Sequence, residues 1–266
     1  MATADSRGVR RAGAVLVGLV ILVAILADVV APGDPFTTSD AVLQPPSWAH
    51  PFGSDDFGRD MLRAIVHGTR VSLLVALAAT IMAVTLGVGV GAIAGYRGGL
   101  VDDALMRFTE IFQVVPRFFL VVATVALFGS GVGLLVLIIA ITSWSGTARL
   151  VRGQVMTLVR FDHVVAARAL GARPARILVR HVLPLALPPL LAHSAFQASG
   201  AILAEAGVSF LGLGDPSVMT WGALLHEAHH FLRVAWWLAV FPGIALTLTV
   251  LGFHLLADGL ATPDGG

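Results

Sequence analysis

Six long, almost uncharged apolar stretches constrain this chain more than any other feature of its sequence. They cover Ala12–Ala31, Val71–Ala94, Ile111–Phe128, Gly131–Ala148, Val182–Val208 and Val234–Ala257. Each reaches, or nearly reaches, the ~20 residues that an α-helix needs to cross ~30 Å of hydrocarbon. The runs are continuous rather than alternating, which disfavours a β-barrel. We therefore predict an all-α, polytopic membrane protein with six transmembrane helices, because helices satisfy their own backbone groups in lipid.

The low fraction of charged residues supports a membrane environment, and the absence of two residue types excludes several kinds of site. Only 12% of the 266 residues are charged, whereas soluble domains carry about 25%. The chain has no cysteine, which excludes disulfides and thiolate metal sites. All 17 basic residues are arginine, so the chain cannot supply a P-loop lysine. If ATP drives this protein, another chain must hold the nucleotide.

The distribution of arginine predicts the orientation. Three arginines precede the first span, two follow the second, and seven lie between Arg149 and Arg180. The positive-inside rule puts these regions, and both termini, in the cytoplasm. The first apolar run is long enough for an uncleaved anchor and lacks a clear A-x-A site, so we favour an anchor over a signal peptide. The chain then divides into a tail, first helix and extracytoplasmic loop (1–70), a five-helix core with a cytoplasmic coupling loop at 149–181 (71–257), and a cytoplasmic tail (258–266).

The loop between the fourth and fifth spans is patterned as helix, glycine, helix. Apolar side chains recur at helical spacing over Thr157–Leu170, and Asp162 near the start and Arg168 near the end complement a helix dipole. Gly171 suits the position just after a helix, and Pro174 suits the first turn of the next one. The small residues of the first helix favour close docking by another protein. An amphipathic helix resting on anionic lipid is the alternative that the pattern leaves open.

This loop resembles the EAA loop of ABC importer permeases. The resemblance rests on Ala166-Ala167-Arg168-Ala169-Leu170-Gly171, followed by Ile177, His181 and Leu183-Pro184. In that family the loop forms a coupling helix that lies in a cleft of the ATPase subunit. Val165 stands where the family usually has glutamate, which removes one polar contact to the ATPase. The residues that the resemblance assigns to coupling are Asp162, Val165, Ala166, Ala167, Arg168, Leu170, Gly171, Ile177, Leu183 and Pro184.

Further blocks extend the resemblance over nearly the whole chain. The stretch from His50 to Asp60 is similar to the H-P-x-G-T-D-x-x-G-R-D block of the dipeptide, oligopeptide and nickel permease subfamily, second-subunit type. Residues 94–99, 204–214 and 221–225 are similar to other blocks of that subfamily in the same order. The resemblance implies the type I ABC importer permease fold.

The resemblance also implies a function and partners. The chain would be a permease subunit, not an enzyme, that translocates di- or oligopeptides across the bacterial cytoplasmic membrane by alternating access. Nickel, haem or another small solute is the alternative cargo. The implied partners are a second homologous permease in a heterodimer, two ABC ATPases that bind ATP and Mg, an extracytoplasmic solute-binding protein and membrane lipid. No cofactor in this chain and no nucleic acid are expected.

Polar residues inside predicted spans are functional candidates, because burying them in lipid is costly. They are Glu110, Gln113, Arg117, Ser143, Trp144, His193, Gln197, Ser199 and Glu205. We expect the translocation path to include Glu110, Gln113, Gln197, Ser199 and Glu205. A carboxylate at Glu205 would attract the ammonium group of a peptide, or pair with backbone groups or the partner permease.

Two short motifs suggest other interpretations. His226-Glu227-Ala228-His229-His230 contains H-E-x-x-H, the zinc signature of a membrane protease, in which His226 and His230 would bind the metal. A third ligand is not evident nearby, so we expect a surface helix and no metal. Gly87, Gly91 and Gly95 form overlapping GxxxG steps, which predict close packing against another helix.

Overall fold

The computed structural model describes residues 6–261, which form eleven α-helices. The short elements are α2 (Ala27–Val30), α7 (Asp162–Ala169), α8 (Pro174–Ile177) and α10 (Trp221–Ala228). The long ones are α1 (Ser6–Ile25), α3 (Met61–Arg97), α4 (Gly99–Val114), α5 (Arg117–Phe128), α6 (Val132–Leu158), α9 (Leu183–Val208) and α11 (Trp237–Ala261). Wider π-helical turns flank α9 at Leu178–Val182 and Ser209–Leu213. These described residues contain no β-strand, only an isolated bridge between Ser54 and Asp60.

The helices account for six membrane spans. Within residues 6–261, the helices α1, α3, α6, α9 and α11 are each long and apolar enough to cross a bilayer. A sixth span forms if α4 and α5 are taken together, although their axes are bent by 73°. The prediction of an all-α bundle with six spans is confirmed, and one of the six is broken.

The third predicted span is therefore wrong as a straight helix. Proline lacks a backbone N–H and forces the preceding residue out of the helical conformation. Pro116 does this to Val115, which is extended at φ −91° and ψ 132°. The chain resumes as α5 at Arg117, and α4 begins at Gly99, well before the predicted start at Ile111.

Other helix bounds also differ from the predicted spans. Helix α3 begins ten residues before the predicted Val71, because the side chain of Asp60 accepts a hydrogen bond from the Arg63 backbone N–H at 3.0 Å. Helix α1 ends at Ile25 rather than Ala31. Helix α6 runs to Leu158, into the range 149–181 assigned to the coupling loop.

The glycine face of α3 packs against α6, as the GxxxG steps predict. A Cβ at Gly87 would lie 2.5 Å from the Thr147 Cβ, and one at Gly95 would lie 2.7 Å from the Arg152 carbonyl oxygen. Only glycine permits this approach. Helix α1 packs along α11, and α11 along α9, to complete the bundle.

The bundle has two ends, which we name by what lies there. The loop end contains residues 31–60, α10 and the first turns of α3 and α11, with Met61, Trp221 and Trp237 in its core. The elbow end contains α7, α8 and the last turns of α6, with Val155 and Ile177 in its core.

Candidate functional site

The elbow, which we define as residues 162–177, is a helix that ends in a Schellman motif. The N–H of Ala172 donates to the Ala167 carbonyl at 3.1 Å, and the N–H of Gly171 donates to the Arg168 carbonyl at 3.0 Å. Gly171 has φ +79°, a conformation that glycine adopts without strain. Pro174 occupies the first turn of α8. The predicted glycine stop and proline start are confirmed.

The elbow is a separate helix, not a continuation of α6. The apolar pattern over Thr157–Leu170 predicts one helix, but α6 ends at Leu158 and α7 begins at Asp162. Phe161 is extended at φ −70° and ψ 142° and precedes α7. Asp162 lies in the first turn and Arg168 in the last turn, as predicted from the helix dipole.

Two buried side chains attach the elbow to the bundle. Val164 and Ile177 are completely buried against the ends of α6 and α9. Leu170 is 89% exposed and Val165 is 49% exposed. All the other residues assigned to coupling are exposed or half-buried: Asp162, Ala166, Ala167, Arg168, Gly171, Leu183 and Pro184. The elbow therefore presents apolar side chains at the end of the bundle, where nothing in the described chain covers them.

A cavity of about 410 Å³ lies at the break between α4 and α5. It is bounded by the broken span, the middle of α6 and the middle of α9. Its lining is Phe112, Gln113, Val115, Pro116, Arg117, Thr142, Ser143, Ser145, Gly146, Arg149, His193, Phe196, Gln197 and Gly200. We call it the break cavity. Its volume lies within the roughly 300–1,000 Å³ of typical ligand pockets.

The break cavity collects most of the polar residues predicted within the spans. Gln113, Arg117 and Ser143 line it, together with His193 and Gln197. The guanidinium of Arg117 donates to the Ser143 hydroxyl at 3.3 Å. The helices bring these side chains together from three separate regions of the sequence.

Sequence reasoning missed Arg149, because it falls in the range assigned to the loop. The residue lies inside α6 and lines the break cavity. A signal existed: Thr142, Ser145 and Arg149 recur at offsets of three and four, which gives a polar stripe on one face of a helix.

The three remaining residues predicted for the path lie outside the break cavity. Glu110 is exposed on α4, and Ser199 is buried with its hydroxyl donating to the Phe196 carbonyl at 2.7 Å. Glu205 is 2% exposed. Its carboxylate accepts hydrogen bonds from Ser72 at 3.1 Å and from Ser209 at 2.8 Å. These contacts tie α9 to α3 near the loop end.

A partly buried ion-pair network holds the loop end together. Arg59 donates to Asp55 at 2.5 Å and to Glu227 at 2.6 Å, so it joins the loop before α3 to α10. Burial lowers the pKa of Arg59, but the two carboxylates more than offset this effect, and its pKa lies above the usual value. Burial raises the pKa of Glu227 above the usual value, although Arg59 opposes the shift.

The same network removes the zinc interpretation of the H-E-x-x-H motif. Glu227, the water-activating residue in that interpretation, is engaged by Arg59. Helix α10 ends at Ala228, and His230 lies in the turn beyond it. The ring of His226 is hydrogen-bonded through Nδ1 to the Phe210 carbonyl at 2.7 Å.

A six-span helical bundle with a polar cavity at a broken span and an exposed elbow at one end is the architecture of a transport permease. Residues 87–262 match the family described as "Binding-protein-dependent transport system inner membrane component". The chain belongs to this family of ABC importer permeases. It is a multi-pass protein of the cytoplasmic membrane and a transporter subunit, so the protease interpretation is overturned.

Relatives in several bacteria are similar over most of their length. The di/tripeptide transport permease DppC of Pseudomonas aeruginosa is 37% identical, over 91% of this chain and 82% of the relative. The oligopeptide transport permease OppC of Bacillus subtilis is 34% identical over 93% and 82%. The glutathione transport permease GsiD of Pectobacterium atrosepticum is 36% identical over 94% and 84%.

Solved structures share the fold. An inward-facing structure of the MetNI methionine ABC transporter superposes with a TM-score of 0.58 at 19% identity, covering 74% of this chain and 94% of that one. A second crystal form gives a TM-score of 0.55 at 17% identity, covering 76% and 98%. The fold predicted from the resemblance is confirmed.

Proposed function

We propose that this chain is one of two permease subunits of an ATP-driven importer that carries di- or oligopeptides across the cytoplasmic membrane by alternating access. The support for peptide as cargo is the relatives, several of which are named as di/tripeptide, oligopeptide or glutathione permeases. Helical contacts to the second permease would complete the wall of the break cavity, which is open on one side in the single chain.

The observation that carries the proposal is the exposed elbow. Exposed apolar side chains at an aqueous end of a bundle mark an interaction site. Val165 and Leu170 are such side chains, and two buried anchors hold the elbow firmly enough to transmit a movement. We assign the elbow to the cleft of an ABC ATPase, which binds the ATP and Mg. Docking on a protein explains Leu170 better than lipid does, because this side chain extends from the turn and not from the apolar face of a helix.

The complete assembly in this proposal has this chain, a second homologous permease, two ATPases and an extracytoplasmic solute-binding protein. The arginine distribution supports an elbow end in the cytoplasm, with both termini on that side. The loop end then meets the binding protein. The division into residues 1–70, 71–257 and 258–266 follows the same orientation, although 1–5 and 262–266 lie outside the described residues.

For the translocation path, we retain Gln113 and Gln197 and add Arg117, Arg149 and His193, because all five line one cavity. The path would include Glu110, Ser199 and Glu205 only if the partner permease or a second conformation extended the cavity as far as these residues. A buried carboxylate that accepts hydrogen bonds from two hydroxyl groups, as at Glu205, is better suited to joining helices.

The test of coupling is Gly171→Val. A β-branched residue at φ +79° is strained by about 1–3 kcal/mol, so the Schellman turn should reshape and the elbow should lose its fit to the ATPase. We expect peptide uptake by the reconstituted importer to fall at least tenfold while the ATPases still hydrolyse ATP.

The matched control is Gly153→Val, since this glycine lies in α6 with open space around a Cβ and an ordinary helical φ. Uptake in the control should stay within about twofold of the unmodified importer. Normal coupling of hydrolysis to uptake in Gly171→Val would rule out the elbow as the transmitting element.

A further inference from the structure

We propose that the break cavity binds the carboxylate of the transported solute, through Arg117, the side-chain amides of Gln113 and Gln197, and the N-terminus of α5. This inference rests on the proposed function, since it assigns a subsite to the cargo of the importer. The cargo class that it selects is a peptide with a free C-terminal carboxylate.

Unused hydrogen-bond groups converge on the break cavity. Among the described residues, five buried side-chain polar atoms have no hydrogen-bond partner, and three of them are the Nε2 atoms of Gln113, His193 and Gln197. All three residues line the break cavity. Buried polar groups are normally paired, so a concentration of unpaired ones in one cavity indicates a binding site.

One hydrogen bond fixes the orientation of the Gln197 amide, and Gln197 lines the cavity. The hydroxyl of Thr147, which is completely buried, donates to Gln197 Oε1 at 2.9 Å. This bond occupies the carbonyl oxygen and leaves the NH₂ group on the other side. Gln197 is only 7% exposed, and its Nε2 atom has no hydrogen-bond partner among the described residues. The ligand that fits an oriented N–H donor is an acceptor.

The charge of the break cavity specifies an anionic acceptor. Arg117 and Arg149 line it, and neither forms an ion pair with any residue in the range 6–261. No aspartate or glutamate is among the described lining residues. The one hydrogen bond of Arg117 goes to the neutral Ser143, which leaves most of its five N–H donors free. Arginine within a span is costly, and a bound carboxylate would offset that cost through a bidentate contact.

The start of α5 adds a second source of positive potential. The helix has twelve residues, and Pro116 precedes it without any side-chain cap. The first backbone N–H groups of a helix lack intrahelical partners and attract anions. Half-helices that begin near the middle of a membrane are used in this way by other transporters for substrate carboxylates.

The depth of the break cavity within the bundle favours a solute over a lipid headgroup as the source of the anion. Gln197 lies 11 residues before the end of α9 at Val208, which is about 17 Å along the helix, and it lies still farther from the start. Gly200 lets the guanidinium reach this depth, since a Cβ there would lie 3.2 Å from Arg117 Nη2. Lipid phosphates remain at the bilayer surfaces, so we assign the site to the solute.

The experiment compares a tripeptide acid with its amide in the complete importer. The unmodified assembly with its binding protein and the variants Arg117→Gln, Arg117→Lys, Gln197→Leu and Arg107→Gln are reconstituted in proteoliposomes. Uptake of radiolabelled tri-alanine and of tri-alanine C-terminal amide gives a KM for each probe. The same binding protein serves every variant, so a change in the acid-to-amide ratio of KM reports on the permease.

We expect Arg117→Gln to raise the KM for the acid at least tenfold and that for the amide less than twofold. Arg117→Lys should recover part of the loss, and Gln197→Leu should raise the acid KM about threefold. Arg107 is an exposed arginine of α4 outside the cavity, so Arg107→Gln should leave both values unchanged.

An unchanged acid-to-amide ratio of KM in Arg117→Gln overturns the inference. An equal rise in the KM for the acid and for the amide leaves that ratio unchanged and overturns it too. If Arg117→Gln does not assemble, an unchanged ratio in Gln197→Leu overturns it as well. Competition by inorganic phosphate as strong as that by the tripeptide acid would mark a general anion site and overturn the assignment to the solute. If the unmodified importer takes up neither probe, the proposed function itself fails.

Discussion

The two ends of the bundle are held together by different forces. At the loop end, buried polar groups connect distant segments: Arg59 joins Asp55 and Glu227, and Trp237 donates its indole N–H to the Ser54 carbonyl at 3.1 Å. At the elbow end, α7 and α8 are attached by two apolar side chains, Val164 and Ile177. Directional bonds fix the loop end, and non-directional packing attaches α7 and α8 at the elbow end.

This difference indicates what each end needs from a partner. At the loop end, Arg59 is paired with Asp55 and Glu227 within the single chain. The elbow leaves large apolar side chains in the open, and such surfaces are stable in an assembly where a partner covers them. The elbow is therefore half of an interface.

The largest expected effect is at the loop end, from Arg59→Ala. This change leaves the buried Asp55 carboxylate without its partner, and breaking a buried ion pair costs about 3 kcal/mol. We expect a clearly lower midpoint in thermal unfolding of the purified subunit. The control is Arg233→Ala, an exposed arginine of the same end. Equal midpoints in the two variants would mean that the network does not stabilise this end.

A smaller and more local effect is expected from Ile177→Ala at the elbow end. Removing a fully buried side chain costs about 2 kcal/mol, and here it removes one of two anchors. Hydrogen exchange should become faster in α7 and α8 and stay unchanged in α10. In Val179→Ala, where the side chain is 64% exposed, neither region should change. Faster exchange at both ends after Ile177→Ala would show that the two ends do not behave as separate units.

The smallest effect on stability, and the sharpest on assembly, is expected from Leu170→Ser. An exposed substitution should change stability by less than about 0.5 kcal/mol. Loss of the apolar contact should nevertheless reduce co-purification of the ATPase subunit by about tenfold. Leu100→Ser, at a leucine that is 86% exposed outside the elbow, is the control. Equal recovery of the ATPase with both variants would contradict docking through Leu170.

Local sequence signals predicted the spans and the elbow, and long-range packing decided the rest. Gly171 and Pro174 affect only the backbone next to them, so the end of α7 and the start of α8 follow from residue type. The break at Pro116 was also readable, but the apolar pattern around it favoured a continuous span. The break cavity was not predictable as a unit, because Gln113, Arg149 and Gln197 meet only once three helices have packed. Glu205 looked like a path residue from sequence, since its bonds to Ser72 and Ser209 depend on that same packing.

The 73° bend divides the third span into two parts, α4 and α5, that can move separately. Asp102 near the start of α4 pairs with Arg152 of α6 through two hydrogen bonds of 2.5 and 2.6 Å, so α4 follows the elbow end. Phe118 of α5 lies against Gly207 near the loop end, where a Cβ would be 2.9 Å from its ring. A rotation confined to the torsions of Val115 would tilt one half while the other stays in place. The volume of the break cavity around Arg117 would then change without any helix unwinding. A small displacement of the elbow end would in this way change how tightly a solute is bound.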